Sequence, residues 1–355
     1  MAIDAKTEAL RLVDRDALTT FLREHVGAFE RLEIDLLAGG ASNLTYLIVL
    51  DDRRLVLRRR PLGKSAPKAH DMHREFRVLE ALDGRGLPTP HVYAYHDADD
   101  IVGAPFYVMD FSAGAVLHTP ADVASLTPGA AEHVSNSLVD TLVALHEIGE
   151  ADLQLEKFGR PDGFLQRRIT SWLKQWDAVE HRDFPQLVPI GRTLLANLPE
   201  QRHSTLVHGD YRLGNVILDL QDDDASVVAV LDWEMSTIGD PLTDLAHLLV
   251  YWEPTCGRVT HPAQMIARAP GFLDGKELVA AYEKASGRDL SNIDFYLAFE
   301  HWRAAIIKDA IYLRRRGGAM ADDGDTEEFG QTVGLHLQEA EQILGRLGLA
   351  HSDHN

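Results

Sequence analysis

The stretch Leu206–Asp219 reads LVHGDYRLGNVILD and places two polar side chains, Asp210 and Asn215, five positions apart before a short β-forming run. A second stretch, Val227–Glu234, reads VVAVLDWE, in which an apolar strand pattern ends at Asp232. Binding and catalytic side chains are disproportionately found where a regular element gives way to a loop. The two stretches are therefore the first place to look for a functional site.

These side chains match the few protein groups that phosphoryl transfer requires. A carboxylate must accept the proton of the attacking hydroxyl group, and oxygen ligands must hold Mg²⁺ on the nucleotide phosphates. Asp210 fits the first role, and Asn215 and Asp232 fit the second. The alternative is that Asp210 caps a turn and that the other two are ordinary turn residues at strand ends. The pattern favours a phosphotransferase.

The composition argues against several other classes of protein. The 355 residues carry a formal net charge of −20, which disfavours non-specific binding to nucleic acid because that requires a cationic surface. The single cysteine, Cys256, excludes an internal disulfide and a Cys-rich metal site. No apolar run resembles a signal peptide or a membrane helix. We therefore expect a cytoplasmic protein without a nucleic acid or membrane partner.

The charge is unevenly distributed along the chain. Residues 1–113 carry 15 basic and 18 acidic side chains, a net charge of −3, and residues 114–355 carry 20 basic and 37 acidic ones, a net charge of −17. Residues 53–68 contain seven basic side chains and no acidic one. This basic run is either the solvated edge of a strand or a binding site for phosphate groups.

Hydrophobic periodicity divides the chain into a β-rich part and a helical part. Around one helical pattern, at 71–82, lie four β-forming runs, at 44–50, 55–58, 92–95 and 106–109. Helical patterns then dominate from residue 135 to about residue 347. We expect residues 1–113 to form an amino-terminal lobe that binds the nucleotide phosphates. Residues 114–355 would form a carboxyl-terminal lobe with the catalytic loop, the metal site and the acceptor-binding helices.

The two stretches resemble the catalytic and metal-binding segments of the aminoglycoside phosphotransferase and choline kinase-like family. His208-Gly-Asp with Asn215 resembles the kinase pattern H-R-D-x-x-x-x-N, and Asp232-Trp-Glu stands in the place of D-F-G. Residues 239–246, GDPLTDLA, resemble the next segment of that family. The sequence LRRRPLG at 57–63 is similar to one branch, the kinase-like domain of acyl-CoA dehydrogenase family members ten and eleven and its free-standing bacterial relatives.

The resemblance extends from about Gly39 to Leu344 and implies an α+β, protein-kinase-like fold. Such a fold has a small β-rich lobe with one main helix and a larger, mostly helical lobe. It also implies ATP and Mg²⁺ as cofactors, Asp210 as the catalytic base, and Asn215 and Asp232 as metal ligands. Asp244 would steady the catalytic loop, and His208 would brace it by hydrogen bonds.

In the amino-terminal part the resemblance implies a set of residues that bind the nucleotide. They are Gly40, Ser42, Asn43, Arg58, Glu75, Met109 and Phe111. Arg58 takes the place of the kinase lysine, although Arg59 and Arg60 are alternatives, and Glu75 would be its ion-pair partner. The turn before residue 44 lacks a complete G-x-G-x-x-G, so an ordinary hairpin turn is the competing interpretation.

Two departures from the protein-kinase pattern indicate a small-molecule kinase. Gly209 replaces the arginine of H-R-D, and the segment after Asp232 is short and lacks A-P-E. Aromatic and basic side chains of the helical part could contact the acceptor or could belong to the core. They are Trp172, Trp176, Tyr251, Trp252, Tyr296, Trp302 and Arg303. The polar interruptions of one apolar helix, Glu300, His301 and Arg303, face either a pocket or the solvent.

The sequence supports an ATP- and Mg²⁺-dependent phosphotransferase that acts on a hydroxyl group of a small molecule. The branch resemblance implies a hydroxyacyl-CoA or a related lipid-derived acceptor. The acidity of residues 114–355 would instead suit an aminoglycoside or a choline-like amine. A different class of function, a nucleotide-binding pseudokinase or interaction module, is the remaining alternative.

Overall fold

The computed structural model describes residues 12–38, 43–60, 71–153, 155, 158–179, 181–221, 224–318 and 326–349. The chain forms two units. The first contains residues 1–113 and 228–234, and the second contains residues 114–227 and 235–355.

The first unit is built on a five-stranded antiparallel sheet with the order β1-β2-β3-β5-β4. Its strands are β1 (Leu32–Ala38), β2 (Leu44–Leu50), β3 (Arg53–Arg59), β4 (Val92–His96) and β5 (Phe106–Asp110). Its helices are α1 (Arg15–His25) and α2 (Met72–Leu82). The predicted hairpin and the helix at 71–82 are confirmed, whereas β1 was not predicted.

Alternation of side chains explains how the hairpin packs. Along β2 every second residue is buried, from Leu44 to Leu50, so one face of the strand contributes to the core. Asp51 turns the chain with a φ of +53°, and β3 returns with Leu55 opposite Ile48. One apolar cluster joins these strands to the helix α1 through Leu18. The sheet is thereby held firmly enough to position the side chains of β3.

The second unit is mostly helical. Its longer helices are α3 (Pro128–His146), α5 (Phe164–Ala178), α6 (Leu187–Ala196), α7 (Leu242–Trp252), α9 (Gly275–Ser286), α10 (Ile293–Arg316) and α11 (Thr326–Arg346). Two short helices are α4 (Glu150–Leu153) and α8 (Pro262–Ile266). The remaining strands are β6 (Thr205–Val207), β7 (Val216–Asp219), β8 (Ser226–Val230), which ends in the first unit, and β9 (Thr237–Gly239).

Short strands connect distant parts of the chain within the second unit. β6 pairs with β9 in antiparallel register, with Thr205 opposite Gly239. Ala115 forms a bridge with Leu218, and at the preceding Gly114 a Cβ would lie 2.5 Å from the Leu218 carbonyl oxygen. These contacts fix the start and the end of the segment that contains Asp210. In the part of the chain that the structure describes, no helix combines the length and apolarity needed to cross a membrane.

Candidate active site

The loop that carries Asp210 begins where β6 ends and reaches β7 through a 3-10 turn, Leu213–Asn215. Gly209 has a φ of +83°, a backbone conformation that residues with a Cβ rarely adopt. A Cβ at this position would lie 2.7 Å from the carbonyl oxygen of Met235. Glycine therefore allows the sharp turn that presents Asp210.

Asp244, in the first turn of α7, holds the backbone of this loop. Its buried carboxylate accepts hydrogen bonds from the N–H groups of His208 and Gly209 at 2.6 and 2.7 Å. Burial acts to raise the pKa of Asp244, but a hydrogen bond from His146 and nearby positive charge outweigh burial and lower it. Asp244 thus stays ionised and steadies the loop, as the resemblance implies. His208 Nδ1 accepts the N–H of Asp210 at 3.3 Å, which is the bracing expected of it.

Three donors hold the partly exposed carboxylate of Asp210. Asn215 Nδ2 donates to Oδ2 at 2.7 Å, whereas His247 Nε2 and Arg212 Nε contact Oδ1 at 2.8 and 3.2 Å. Burial acts to raise the pKa of Asp210, but the hydrogen bond from His247 and the charge of Arg212 outweigh burial and lower it. The carboxylate is therefore ionised at neutral pH and fixed in orientation.

Arg212 contacts three neighbouring residues. Besides its contact with Asp210, its guanidinium group lies over the ring of Tyr251, 5.4 Å from the centroid. Its Nη1 also lies close to Gly214, where an added Cβ atom would be 2.6 Å from that Nη1. Among the described residues the two Nη atoms have no hydrogen-bond partner, and the side chain is one-quarter exposed. Arg212 can therefore bind an anionic group next to Asp210.

Most of the candidate acceptor-binding aromatics belong to the core instead. Trp176, Trp252, Tyr296 and Trp302 are buried, and so is Arg303. The three polar interruptions of α10 do not form a solvated stripe, because Glu300, His301 and Arg303 are all buried. Arg303 contacts the carbonyl oxygen of Gly209, so this part of α10 lies directly behind the catalytic loop.

In the first unit, Arg58 connects two carboxylates. Its Nε lies 3.3 Å from Glu75 Oε2, and its Nη2 donates to Asp232 Oδ1 at 2.5 Å. The expected ion pair between Arg58 and Glu75 is thus present. Glu75 is fully buried, and burial raises its pKa to about 7, although the charge of Arg58 opposes this rise. Glu75 Oε1 also accepts the N–H of Trp233 at 3.2 Å, which links α2 to the segment after Asp232.

Asp232 has an unusual backbone conformation. Its φ of +68° lies in the left-handed region, where side chains other than Asn, Asp and Gly are rarely found. Aspartate tolerates this conformation, as Asp51 does in the hairpin turn. It turns the chain shortly after β8, where the Asp232 carboxylate meets Arg58.

Asn215 and Asp232 each keep an oxygen atom of the kind that binds Mg²⁺ in proteins. Asn215 turns its amide nitrogen toward Asp210, and its Oδ1 makes no hydrogen bond to any described residue. Asp232 accepts Arg58 through Oδ1, and its Oδ2 likewise has no hydrogen-bond partner among the described residues. Mg²⁺ needs only one or two protein carboxylates when phosphates and water complete its shell. Within the described ranges no group of three His, Cys, Asp or Glu could hold a metal alone.

Arg58 and Arg59, the two adjacent arginines at the end of β3, have different environments. Arg59 is almost fully buried and donates to the carbonyl oxygens of Arg60 and Val102. Its guanidinium group is thus part of the structure of the first unit and is not available to a ligand. Arg58, in contrast, contacts the carboxylates of Glu75 and Asp232, which agrees with the preference for it over Arg59.

The other predicted nucleotide-binding residues are only partly described. Gly40 and Ser42 lie outside the described residues. Asn43 is buried immediately before β2, and its Oδ1 has no hydrogen-bond partner among the described residues. Met109 lies in β5 opposite residues of β3 and β4, and Phe111 follows the end of β5. The N–H group of Asp110, between them, donates to the carbonyl oxygen of His91 and is not free to bind adenine.

Arg212 and His247 are missing from the predicted set of site residues, and Glu300 was noticed only as a polar interruption of an apolar helix. His247 belongs to the apolar run LAHLLVYW, which is typical of a buried helix. Arg212 is two residues from Asp210, which was the only available indication.

Comparison with known proteins identifies the family. A model of the phosphotransferase enzyme family matches residues 33–288. The human protein acyl-CoA dehydrogenase family member 11 is 33% identical over 311 residues, which are 85% of this chain and 39% of that protein. Mouse acyl-CoA dehydrogenase family member 10 is 34% identical over 86% of this chain and 29% of that protein. The chain spans less than half of the length of these curated relatives.

Solved structures support the same assignment. A candidate aminoglycoside phosphotransferase from Ralstonia eutropha superposes with a TM-score of 0.77 at 27% identity, covering 93% of this chain and 98% of that one. An aminoglycoside phosphotransferase in complex with GDP and kanamycin has a TM-score of 0.60 at 16% identity, which concerns the fold alone. The predicted protein-kinase-like α+β fold and the predicted resemblance are confirmed. Since the family model covers most of its length, the chain belongs to the phosphotransferase enzyme family.

Proposed function

We propose that the chain transfers the γ-phosphoryl group of ATP to a hydroxyl group of a small molecule. The observation that carries this proposal is the Asp210 carboxylate, which is ionised and oriented by three donors on a braced loop. General-base catalysis requires this combination of charge and fixed position. The Mg²⁺ complex of ATP, when bound, supplies the phosphoryl group and neutralises its charge.

Each residue of the proposed site has its own role in the transfer. Asp210 receives the acceptor proton at Oδ2, which has one donor, because Oδ1 already has two. Asn215 and Asp232 would hold the metal, and Arg58 would bind phosphate through its remaining N–H groups. Glu75 orients Arg58 by the ion pair described above. Gly40, Ser42, Asn43, Met109 and Phe111 complete the proposed nucleotide site.

The acceptor that the local charges favour is an anion. Arg212 and His247 are the two basic side chains that contact Asp210. They would repel a cationic acceptor and attract an anionic one. A hydroxyacyl-CoA or a related lipid-derived hydroxyl compound meets this requirement. The names of the relatives, acyl-CoA dehydrogenase family members 10 and 11, point in the same direction.

A cationic aminoglycoside or choline-like acceptor is the second candidate. Viomycin phosphotransferase from Streptomyces vinaceus is 30% identical over 191 residues, and residues 114–355 are strongly acidic. The pseudokinase alternative is less favoured, because the base, the metal ligands and the phosphate-binding cation all have candidate residues.

A panel of acceptors tests the proposal. The protein would be incubated with Mg²⁺ and ATP or GTP, and with hydroxyacyl-CoAs, aminoglycosides, choline or sugars, while phosphorylated products are followed by mass spectrometry. We expect an acidic acceptor to be phosphorylated and the cationic ones to be poor substrates. Phosphorylation of an aminoglycoside in preference to every acidic acceptor would reject the acceptor class. Nucleotide binding without any product would favour the pseudokinase alternative.

A further inference from the structure

His247 is a buried histidine of α7 whose two ring nitrogens are both engaged. Its Nε2 lies 2.8 Å from Asp210 Oδ1. Its Nδ1 lies 2.5 Å from Arg303 Nη2 and 3.1 Å from Glu300 Oε2. The side chain is about one-twentieth exposed, so solvent does not replace these partners. The ring thus connects the proposed catalytic base to α10.

The partners of His247 on α10 form a buried ion pair. Arg303 Nη2 lies 2.7 Å from Glu300 Oε2, and both side chains are almost completely inaccessible to solvent. A buried ion pair is not in itself an efficient way to stabilise a fold, because desolvation offsets its attraction. Arg303 also contacts the Gly209 carbonyl oxygen at 3.3 Å. The pair therefore supports the catalytic loop at two points, directly and through His247.

The neighbours of His247 are all compatible with a hydrogen on Nε2. An arginine N–H can only donate and a carboxylate can only accept, so Nδ1 accepts from Arg303 when the ring is neutral and donates to Glu300 when the ring is protonated. If the ring is protonated, Nε2 carries a hydrogen as well. In both charge states Nε2 donates to Asp210 Oδ1. His247 therefore cannot take the proton that Asp210 receives, and its effect on Asp210 must be one of position.

We propose that His247 is a positioning residue for phosphoryl transfer, which holds the Asp210 carboxylate through Nε2 and is itself held by Glu300 and Arg303. The inference rests on the proposed function. With Oδ1 tied to His247, the carboxylate plane is fixed and Oδ2 is left to receive the acceptor proton. Without this hydrogen bond the carboxylate can rotate, and a misplacement of about 1 Å can cost a catalyst about 100-fold in rate.

Two amide variants separate a loss of positioning from a loss of stability. In His247→Gln the terminal amide nitrogen can occupy the place of Nε2 and donate to Asp210, whereas in His247→Asn the shorter side chain cannot reach it. We expect His247→Asn to lower kcat by about 10- to 100-fold with the KM values for ATP and acceptor little changed, and His247→Gln to recover most of kcat. The melting temperature of each variant would be measured alongside.

His301→Gln is the matched control, because His301 is a buried histidine of α10 that contacts His336 and not Asp210. It should lower stability without a comparable loss of kcat. Wild-type transfer that is lost in Asp210→Asn establishes the proposed function independently of His247. Equal kcat in His247→Gln and His247→Asn, or a fall in kcat that only follows the melting temperature as in His301→Gln, would overturn the inference.

Discussion

Asp244→Asn should weaken the fold of the second unit by removing one charge. The carboxylate accepts two backbone N–H groups at 2.6 and 2.7 Å and is fully buried. An asparagine has one acceptor oxygen, so its amide nitrogen must face either His208 N–H or Gly209 N–H. One charge-assisted hydrogen bond becomes neutral, and one buried donor loses its partner, at about 1–3 kcal/mol for the latter. We expect the two effects together to lower the free energy of unfolding by about 3 kcal/mol, which is a large part of the about 5–15 kcal/mol that is typical of proteins.

Urea unfolding followed by circular dichroism measures this loss. Asp274→Asn is the matched control, because among the described residues the exposed Asp274 carboxylate accepts only the N–H of Glu277, at the start of α9. Asparagine serves as well as aspartate at such a cap, so the control should change the free energy of unfolding by no more than about 0.3 kcal/mol. An unfolding free energy of Asp244→Asn within about 1 kcal/mol of wild type, or no lower than the control, would refute the role assigned to Asp244.

Three further changes have defined outcomes. Gly209→Ala should lower both stability, by about 1–3 kcal/mol, and kcat, because a Cβ at a φ of +83° would lie 2.7 Å from the Met235 carbonyl oxygen; an unchanged melting temperature would contradict this. Arg58→Met should raise the KM for ATP about 10- to 100-fold through the loss of charge-assisted hydrogen bonds to phosphate, and a KM equal to that of wild type would argue against the phosphate role. Burial lowers the pKa of His301 to about 4, so the folded protein resists protonation, and stability falls as the pH drops from about 6.5 toward 4. His301→Gln should therefore lose about 2 kcal/mol less than wild type between pH 7 and pH 5, and equal losses in urea titrations at the two pH values would contradict the assignment.

Local patterns predicted the local structure well. The run at 44–50 consists almost entirely of β-forming apolar and aromatic residues, and the polar turn that begins at Asp51 separates it from β3, so the hairpin could be predicted directly. The preference for Arg58 came from the alternation of side chains along the following strand, together with the family pattern. β6 and β9 were missed because each has three residues, and their pairing joins segments about 30 residues apart. A strand of this length leaves no periodic signal in the sequence.

The support of the catalytic base could not be predicted for a related reason. His247 follows Leu245 and Ala246 in an apolar helix, and sequence spacing does not reveal that its ring faces Asp210. Glu300 and Arg303 were noticed as polar interruptions, but a pocket and a solvated stripe give the same pattern. Only tertiary contacts show that the pair is buried behind Gly209.

The central claim is that this chain moves a phosphoryl group by the action of Asp210. The most direct measurement is the rate of transfer from Mg²⁺–ATP to the best acceptor of the panel, followed by ³¹P NMR for the wild type and for Asp210→Asn. The substitution keeps the shape of the side chain and removes its charge. We predict a fall in kcat of about 10²- to 10⁴-fold with a nearly unchanged KM for ATP. Equal rates of transfer in the two proteins would contradict the assignment.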